Sequence, residues 1–106
     1  MKYLIITKIK DMYYMLPDER RMVLMAAAVA FTERLMKAHK MKEVYVMPGW
    51  NRTMSILDVE SHEEAARLSL EYPMRDYVEM ESYPLQEFEA YIKGVKHAYQ
   101  QLAVKK

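Results

Sequence analysis

Two strand-like runs near the middle of the chain, Val44-Tyr45-Val46-Met47 and Thr53 to Val59, are joined by only five residues, Pro48-Gly49-Trp50-Asn51-Arg52. Proline, glycine and asparagine suit a hairpin loop because they pre-set or tolerate the φ values that reverse a chain. The two runs therefore form a hairpin, and everything else must be arranged on either side of it. Upstream, Tyr3 to Ile9 (YLIITKI) is β-branched and reads as a strand. Asp11 to Leu16 reads as a loop, and Pro17-Asp18-Glu19 as a helix start. The missing N–H of a proline costs nothing in a first turn, and the two acids favour the positive end of the helix dipole. That helix continues through an alanine-rich stretch to about His39. Downstream, Ser61-His62-Glu63-Glu64 matches a capping box, with Ser61 accepting from the N–H three residues on and Glu64 reaching back. The helix it opens runs to about Glu71 and stops before Pro73. Met74 to Glu81 reads as a fourth strand. From Ser82-Tyr83-Pro84 a last helix begins, with Phe88, Tyr91, Ile92, Val95, Tyr99 and Leu102 along one face at helical spacing.

The order is thus β-α-β-β-α-β plus a C-terminal helix, the ferredoxin-like pattern of the α+β class. Both main helices then cover one face of a four-stranded antiparallel sheet. Residues 1–83 make this unit, and residues 84–106 a helix expected to pack on the same domain. The strands are apolar on both sides: Tyr3, Ile5 and Ile9 alternate with Leu4 and Ile6, and Val44 and Val46 with Tyr45 and Met47. Strands of that kind are buried on both faces. A second copy stacked sheet to sheet would cover the open face, giving a homodimeric α/β barrel. The first long helix agrees, since Leu24, Ala28, Phe31 and Leu35 form one stripe and Met22, Ala26, Val29 and Met36 another nearly opposite.

Composition removes several function classes. A net charge of +1 with interspersed signs offers no field for nucleic acid or an anionic membrane. There is no cysteine, hence no disulfide, thiolate nucleophile or thiolate-bound metal. The apolar run after Met1 is too short for a signal peptide, and no stretch reaches transmembrane length, so a cytoplasmic protein is expected. Eleven Met and nine Tyr supply adaptable apolar filling with polar tips, suited to a pocket or an oligomer contact.

Candidate chemistry is sparse. Asp58, Glu60 and His62 alternate as ligand-type residues, but the cap at Ser61 turns the chain between them, and solvated loop charges are the simpler reading; no metal site is expected. His97 lies off the apolar face of the last helix. Glu33 falls within the Met22–Ala26–Val29–Met36 stripe, where a desolvated carboxylate would serve as a general base; the alternative is an exposed glutamate paired with Lys37 one turn on. His39 can shuttle protons near neutrality or simply complement a helix C-terminus. Arg52 offers a bidentate fork for a carboxylate, with Trp50 as a flat wall and Asn51 beside it; the plain alternative is a loop with Trp50 folded back on apolar surface. Tyr13, Tyr14, Tyr72 and Tyr77 can line the same cleft or cover a sheet edge.

From Gly49 to Leu85 the sequence GWNRTMSILDVESHEEAARLSLEYPMRDYVEMESYPL resembles the muconolactone Δ-isomerase family without gaps. The carrying pieces are the Gly49 turn, Ser55-Ile56-Leu57-Asp58-Val59, the Ser61 cap, and Tyr72-Pro73-Met74 leading to Tyr77-Val78-Glu79-Met80-Glu81, with Arg34-Leu35 fitting upstream. The resemblance covers about half the chain well, and much of it is shared across the wider dimeric α/β-barrel superfamily. It implies a ferredoxin-like fold, a face-to-face dimer or larger assembly, and a cleft between helices and sheet. It also implies cofactor-free movement of a proton within an unsaturated lactone bearing a carboxylate. Such chemistry needs a base, an enolate stabiliser and a carboxylate anchor. On this chain Glu33 or His39 would be the base, a tyrosine hydroxyl the stabiliser and Arg52 the anchor, with Trp50, Asn51 and Tyr77 as further substrate-binding residues. The expected function is that of a divergent isomerase-like protein acting on or binding small unsaturated organic acids. A non-catalytic member of the superfamily and a small cofactor-free monooxygenase are the alternatives.

Overall fold

A computed structural model of the chain describes residues 1–104. Its elements are β1 (Lys2–Ile9), α1 (Asp11–Tyr14), α2 (Asp18–Lys37), β2 (Met41–Met47), β3 (Arg52–Asp58), α3 (His62–Glu71), a 3-10 turn (Arg75–Tyr77), β4 (Val78–Leu85) and α4 (Phe88–Val104). The four strands form one sheet in the order β2-β3-β1-β4. Every neighbouring pair is antiparallel. Each crossover skips one strand: β1–α2–β2 passes over β3, and β3–α3–β4 passes over β1. This is the ferredoxin-like α+β arrangement that the element order implies.

Register fixes which side chains meet the helices. Tyr3 pairs with Leu57 and Ile5 with Ser55, and all four are buried. Tyr3, Ile5 and Leu57 pack with Phe31 and Leu35 of α2 and Ala65 and Leu68 of α3 in one core cluster. A second cluster joins Tyr13, Leu24, Ala28, Met74 and Val78 at the other end of α2. The stripe Leu24–Ala28–Phe31–Leu35 therefore spans both clusters, as a 3.6-residue period requires. On the opposite sheet face the ladder brings together Leu4, Ile6, Met54 and Ile56, half-buried in the single chain, with Tyr45 and Tyr83 exposed at the sides. Among the described residues no helix covers this face.

Several local expectations need correction. Asp11 to Leu16 is not simply a loop, since Asp11–Tyr14 makes one helical turn that buries Tyr13. β2 starts earlier than Val44. Between Lys42↔Ile56 and Tyr45↔Met54 two residues of β2 face one of β3, and Glu43 adopts φ 53°. This bulge puts Tyr45 on the open face while Met41 and Val46 stay over Leu57 and Thr53. The Ser61 cap forms, its hydroxyl accepting from Glu64 N–H at 3.1 Å, but the Glu64 carboxylate turns to Lys40 at 3.3 Å instead of reaching back. The fourth strand begins only at Val78 and runs through Pro84, which pairs opposite Tyr3. β4 is an edge strand, so a residue without an N–H is tolerated there and does not start a helix.

The last helix accordingly spans Phe88–Val104, and residues 105 and 106 lie outside the described residues. None of α4 is buried in the single chain. The radius of gyration is 18.4 Å and the longest extent 67 Å, whereas a compact chain of this length has a radius near 13 Å. α4 projects from the body. Among the described residues no helix is long and apolar enough to cross a membrane.

Candidate functional site

The hairpin loop is tight and strained in a defined way. Trp50 N–H donates to the Met47 carbonyl at 3.2 Å, and Ile9 N–H donates to the Asn51 carbonyl at 3.0 Å. Gly49 (φ 81°) and Asn51 (φ 53°) take the left-handed conformations that glycine and asparagine tolerate best. This geometry delivers Arg52 at the first position of β3, next to the mouth of a cavity between α2 and the sheet.

The cavity measures about 540 Å³, within the usual range for small-molecule sites. Its walls are largely apolar, from Ile5, Val29, Phe31, Leu57 and six methionines including Met25, Met36 and Met74. The polar exceptions are few. Thr32 and Ser69 hydroxyls donate to their own helix carbonyls at Ala28 (3.0 Å) and Ala65 (3.1 Å). Glu33, Asn51, Arg52, Ser55 and Tyr72 remain as the groups of most chemical interest. Tyr72 packs edge-on against Phe31 with ring centroids 5.8 Å apart, and burial raises its phenol pKa above the ordinary tyrosine value. Its hydroxyl is thus held in the protonated, hydrogen-bond-donating form.

Of the six residues singled out by sequence, three line this cavity: Glu33, Asn51 and Arg52. Glu33 stands exposed in the single chain, as the plainer of its two readings has it, and is not desolvated there. Trp50 is 67% exposed, and its ring lies beside the Arg52 guanidinium outside the cavity wall. His39 sits in a left-handed conformation (φ 59°) just past α2, exposed and away from the lining. Tyr77 packs on the second core cluster beside Tyr13 instead of in the cavity. Of the four tyrosines that the sequence offered for the cleft, Tyr72 lines this cavity. Its signal is in the sequence, since Ala65, Leu68 and Tyr72 stand at i, i+3 and i+7 and extend the core face of α3.

The Asp58–Glu60–His62 run is a charge cluster. The Asp58 carboxylate lies 3.4 Å from Lys42 Nζ and 3.6 Å from the Met1 ammonium. Partial desolvation pushes its pKa up, but the hydrogen bond and charge of Lys42, with the N-terminal ammonium and Lys2, outweigh this and hold it below the ordinary carboxylate value. His62 meets the hydroxyl of buried Tyr3 through Nδ1. Among the described residues no group of three or more His, Cys, Asp or Glu side chains is placed to hold a metal ion.

The fold is a ferredoxin-like sheet under a long helix, with a largely apolar cavity between them that has Glu33 and Arg52 among its lining residues. The family model for muconolactone delta-isomerase matches residues 1–90, and the chain belongs to that family. The match ends within the first turn of α4. A crystal structure of muconolactone isomerase is similar in fold, with a TM-score of 0.69 at 21% identity over 82% of this chain and 90% of that one. No curated protein is significantly similar in sequence.

Proposed function

We propose that the chain binds a small unsaturated organic acid in the cavity under α2 and moves a proton within it without a cofactor. The observation that carries this reading is that Arg52 and Glu33 line one cavity whose other walls are mainly apolar. A bound carboxylate would pair with the Arg52 guanidinium, with Asn51 alongside, and the carbon skeleton would lie against the methionines. Glu33 would take a proton from the carbon next to a carbonyl. The enolate oxygen would accept a hydrogen bond from Tyr72, and the same proton would return from Glu33 to a carbon further along the conjugated system. Atoms and charge balance without a second reactant. Closure of the rim by a partner subunit would desolvate Glu33 and strengthen it as a base.

The open sheet face supports the second half of the reading, a homodimer stacked sheet to sheet. Leu4, Ile6, Met54 and Ile56 present an apolar surface that a second copy would cover. Light scattering should give at least a dimer mass, lowered by Ile6→Lys. The same reading makes this a cytoplasmic protein, which cell fractionation would test.

Binding is tested by calorimetry with unsaturated monocarboxylates against the matching alcohols. Acids should bind and alcohols should not, and Arg52→Ala should lose tenfold or more in affinity, since a hydrogen-bonded charge contact contributes about 1.5–3 kcal/mol. Equal binding of acid and alcohol would remove the anchor. The chemistry is tested separately, by exchange of the ligand's α-proton in deuterated water.

A further inference from the structure

β3 lays every second side chain on the face that α2 covers, so Thr53, Ser55 and Leu57 all line the cavity. Thr53 pairs with Thr7 across the sheet and is half-buried. Ser55 lies deeper, 7% exposed and paired with Ile5. A hydroxyl so placed costs stability unless a hydrogen bond satisfies it, whereas an alanine would fill the position at no such cost. On the helical walls of the same cavity, Thr32 and Ser69 are engaged with the Ala28 and Ala65 carbonyls. A strand gives its own side chains no such partner, because its carbonyls point sideways into the ladders with β1 and β2. Among the described residues no hydrogen bond engages the Ser55 hydroxyl, which is left facing the cavity. The backbone beside it is irregular as well. Register sets both Glu43 and Val44 of β2 opposite this one residue, and Glu43 takes the left-handed φ of 53°. A non-glycine residue in that region stores strain, and such bulges re-aim side chains next to binding sites. Val44, on the bulge, is part of the cavity wall.

We propose that Ser55 determines specificity: its hydroxyl binds an oxygen on the carbon skeleton of the ligand, so the cavity selects oxygenated unsaturated acids over purely hydrocarbon ones. The inference rests on the acid-binding reading above and adds a second polar contact to it. Ser55 stands three residues beyond Arg52 on β3, about 10 Å along the strand. A carboxylate held at Arg52 therefore leaves the skeleton running inward past Thr53 toward Ser55. A hydroxyl both donates and accepts, so a ketone, an ester or an alcohol satisfies it alike. A hydrocarbon acid leaves it unpaired, and a buried polar group without its partner discriminates against such a ligand. The role differs from that of Tyr72, whose contact strengthens as charge develops on the enolate. Ser55 acts on the ligand as it binds.

Two probes isolate this contact. Benzoylacrylate is an unsaturated acid with a ketone beside an apolar ring, and γ-phenylcrotonate has a methylene in place of that ketone. The chain has no cysteine to add to the enone, so calorimetry reads binding alone. Wild type should bind benzoylacrylate about tenfold more tightly, the scale of one hydrogen bond. Ser55→Ala, checked for folding by circular dichroism, should lose that preference: its affinity for benzoylacrylate falls about tenfold and that for γ-phenylcrotonate stays within about twofold. A preference that survives in Ser55→Ala overturns the proposal. So does an equal loss for both acids, which would make Ser55 a packing residue, and so does equal binding of the two by wild type. In each of those cases acid binding at Arg52 still stands. If wild type binds neither acid, the proposed function fails and the role of Ser55 falls with it.

Discussion

The Arg52 guanidinium lies 5.9 Å from the centre of the Trp50 ring. The chain's only tryptophan therefore stands beside an arginine that lines the cavity, and it would report on a ligand held there. A carboxylate pairing with Arg52 should change the emission of Trp50 in a saturable titration. The same titration on Arg52→Ala should give no saturable change. Equal amplitude in both would show that the ligand sits elsewhere. Trp50→Ala should alter stability by no more than about 1 kcal/mol, the scale of an exposed cation–π contact.

Asp58 makes stability depend on pH in a direction that follows from its surroundings. Its folded pKa is depressed, so ionised Asp58 stabilises the fold above its unfolded value near 4. That contribution is lost as pH falls through the folded value. Melting temperatures of wild type and Asp58→Asn should differ at neutral pH and converge in acid. Curves that stay parallel down to pH 3 would contradict the pairing with Lys42 and the N-terminal ammonium.

Ser61 caps α3 through its hydroxyl and the Glu64 N–H. Ser61→Ala leaves that donor without its partner and should cost about 1 kcal/mol. For a domain of this size that is about 4–8 °C in Tm. Ser61→Asp should keep the cap. A Tm unchanged in Ser61→Ala would mean that water replaces the hydroxyl at no cost.

How much of this was legible in the sequence depends on whether the signal was local. The loop at Pro48–Arg52 and the cap at Ser61 are written in residues whose backbone preferences are strong, and both form. Pro84 misled because proline suits a helix start and an edge strand alike, and only pairing with Tyr3 decides between them. Glu33 and Arg52 were recognisable as candidates from a helical stripe and a turn. That they share a cavity is a fact of packing between α2 and β3, which no local pattern carries. Tyr72 and Tyr77 both lie in the family-like segment, and no local pattern chooses between them. The 3-10 turn at Arg75–Tyr77 directs Tyr77 to the Tyr13 cluster.

Met74 is 1% exposed and joins the second core cluster to the floor of the cavity. Truncation leaves a hole between Tyr13, Leu24 and Val78, so Met74→Ala should cost about 2–5 kcal/mol. Met74→Leu conserves volume and should cost less than about 1.5 kcal/mol. Denaturant titration measures both. If Met74→Ala were as mild as Met74→Leu, the site would have to collapse freely, contrary to its burial.

Tyr72 and Arg52 should separate binding from chemistry. Burial raises the Tyr72 phenol pKa, so its hydroxyl stays protonated through neutrality and past the ordinary tyrosine value near 10. Under the proposed function, Tyr72 would donate to a developing enolate, and such a donor acts in the transition state far more than on the bound ligand. Tyr72→Phe should therefore slow exchange of the α-proton by about 10²–10³, the usual cost of one such donor, with little change in Kd. Arg52→Ala should do the reverse, raising Kd while leaving the rate at saturation nearly intact. Glu33→Gln should abolish exchange and keep binding, because the amide cannot accept the proton. Exchange that persists in Glu33→Gln would transfer the base role to another group or leave the cavity as a binding site alone.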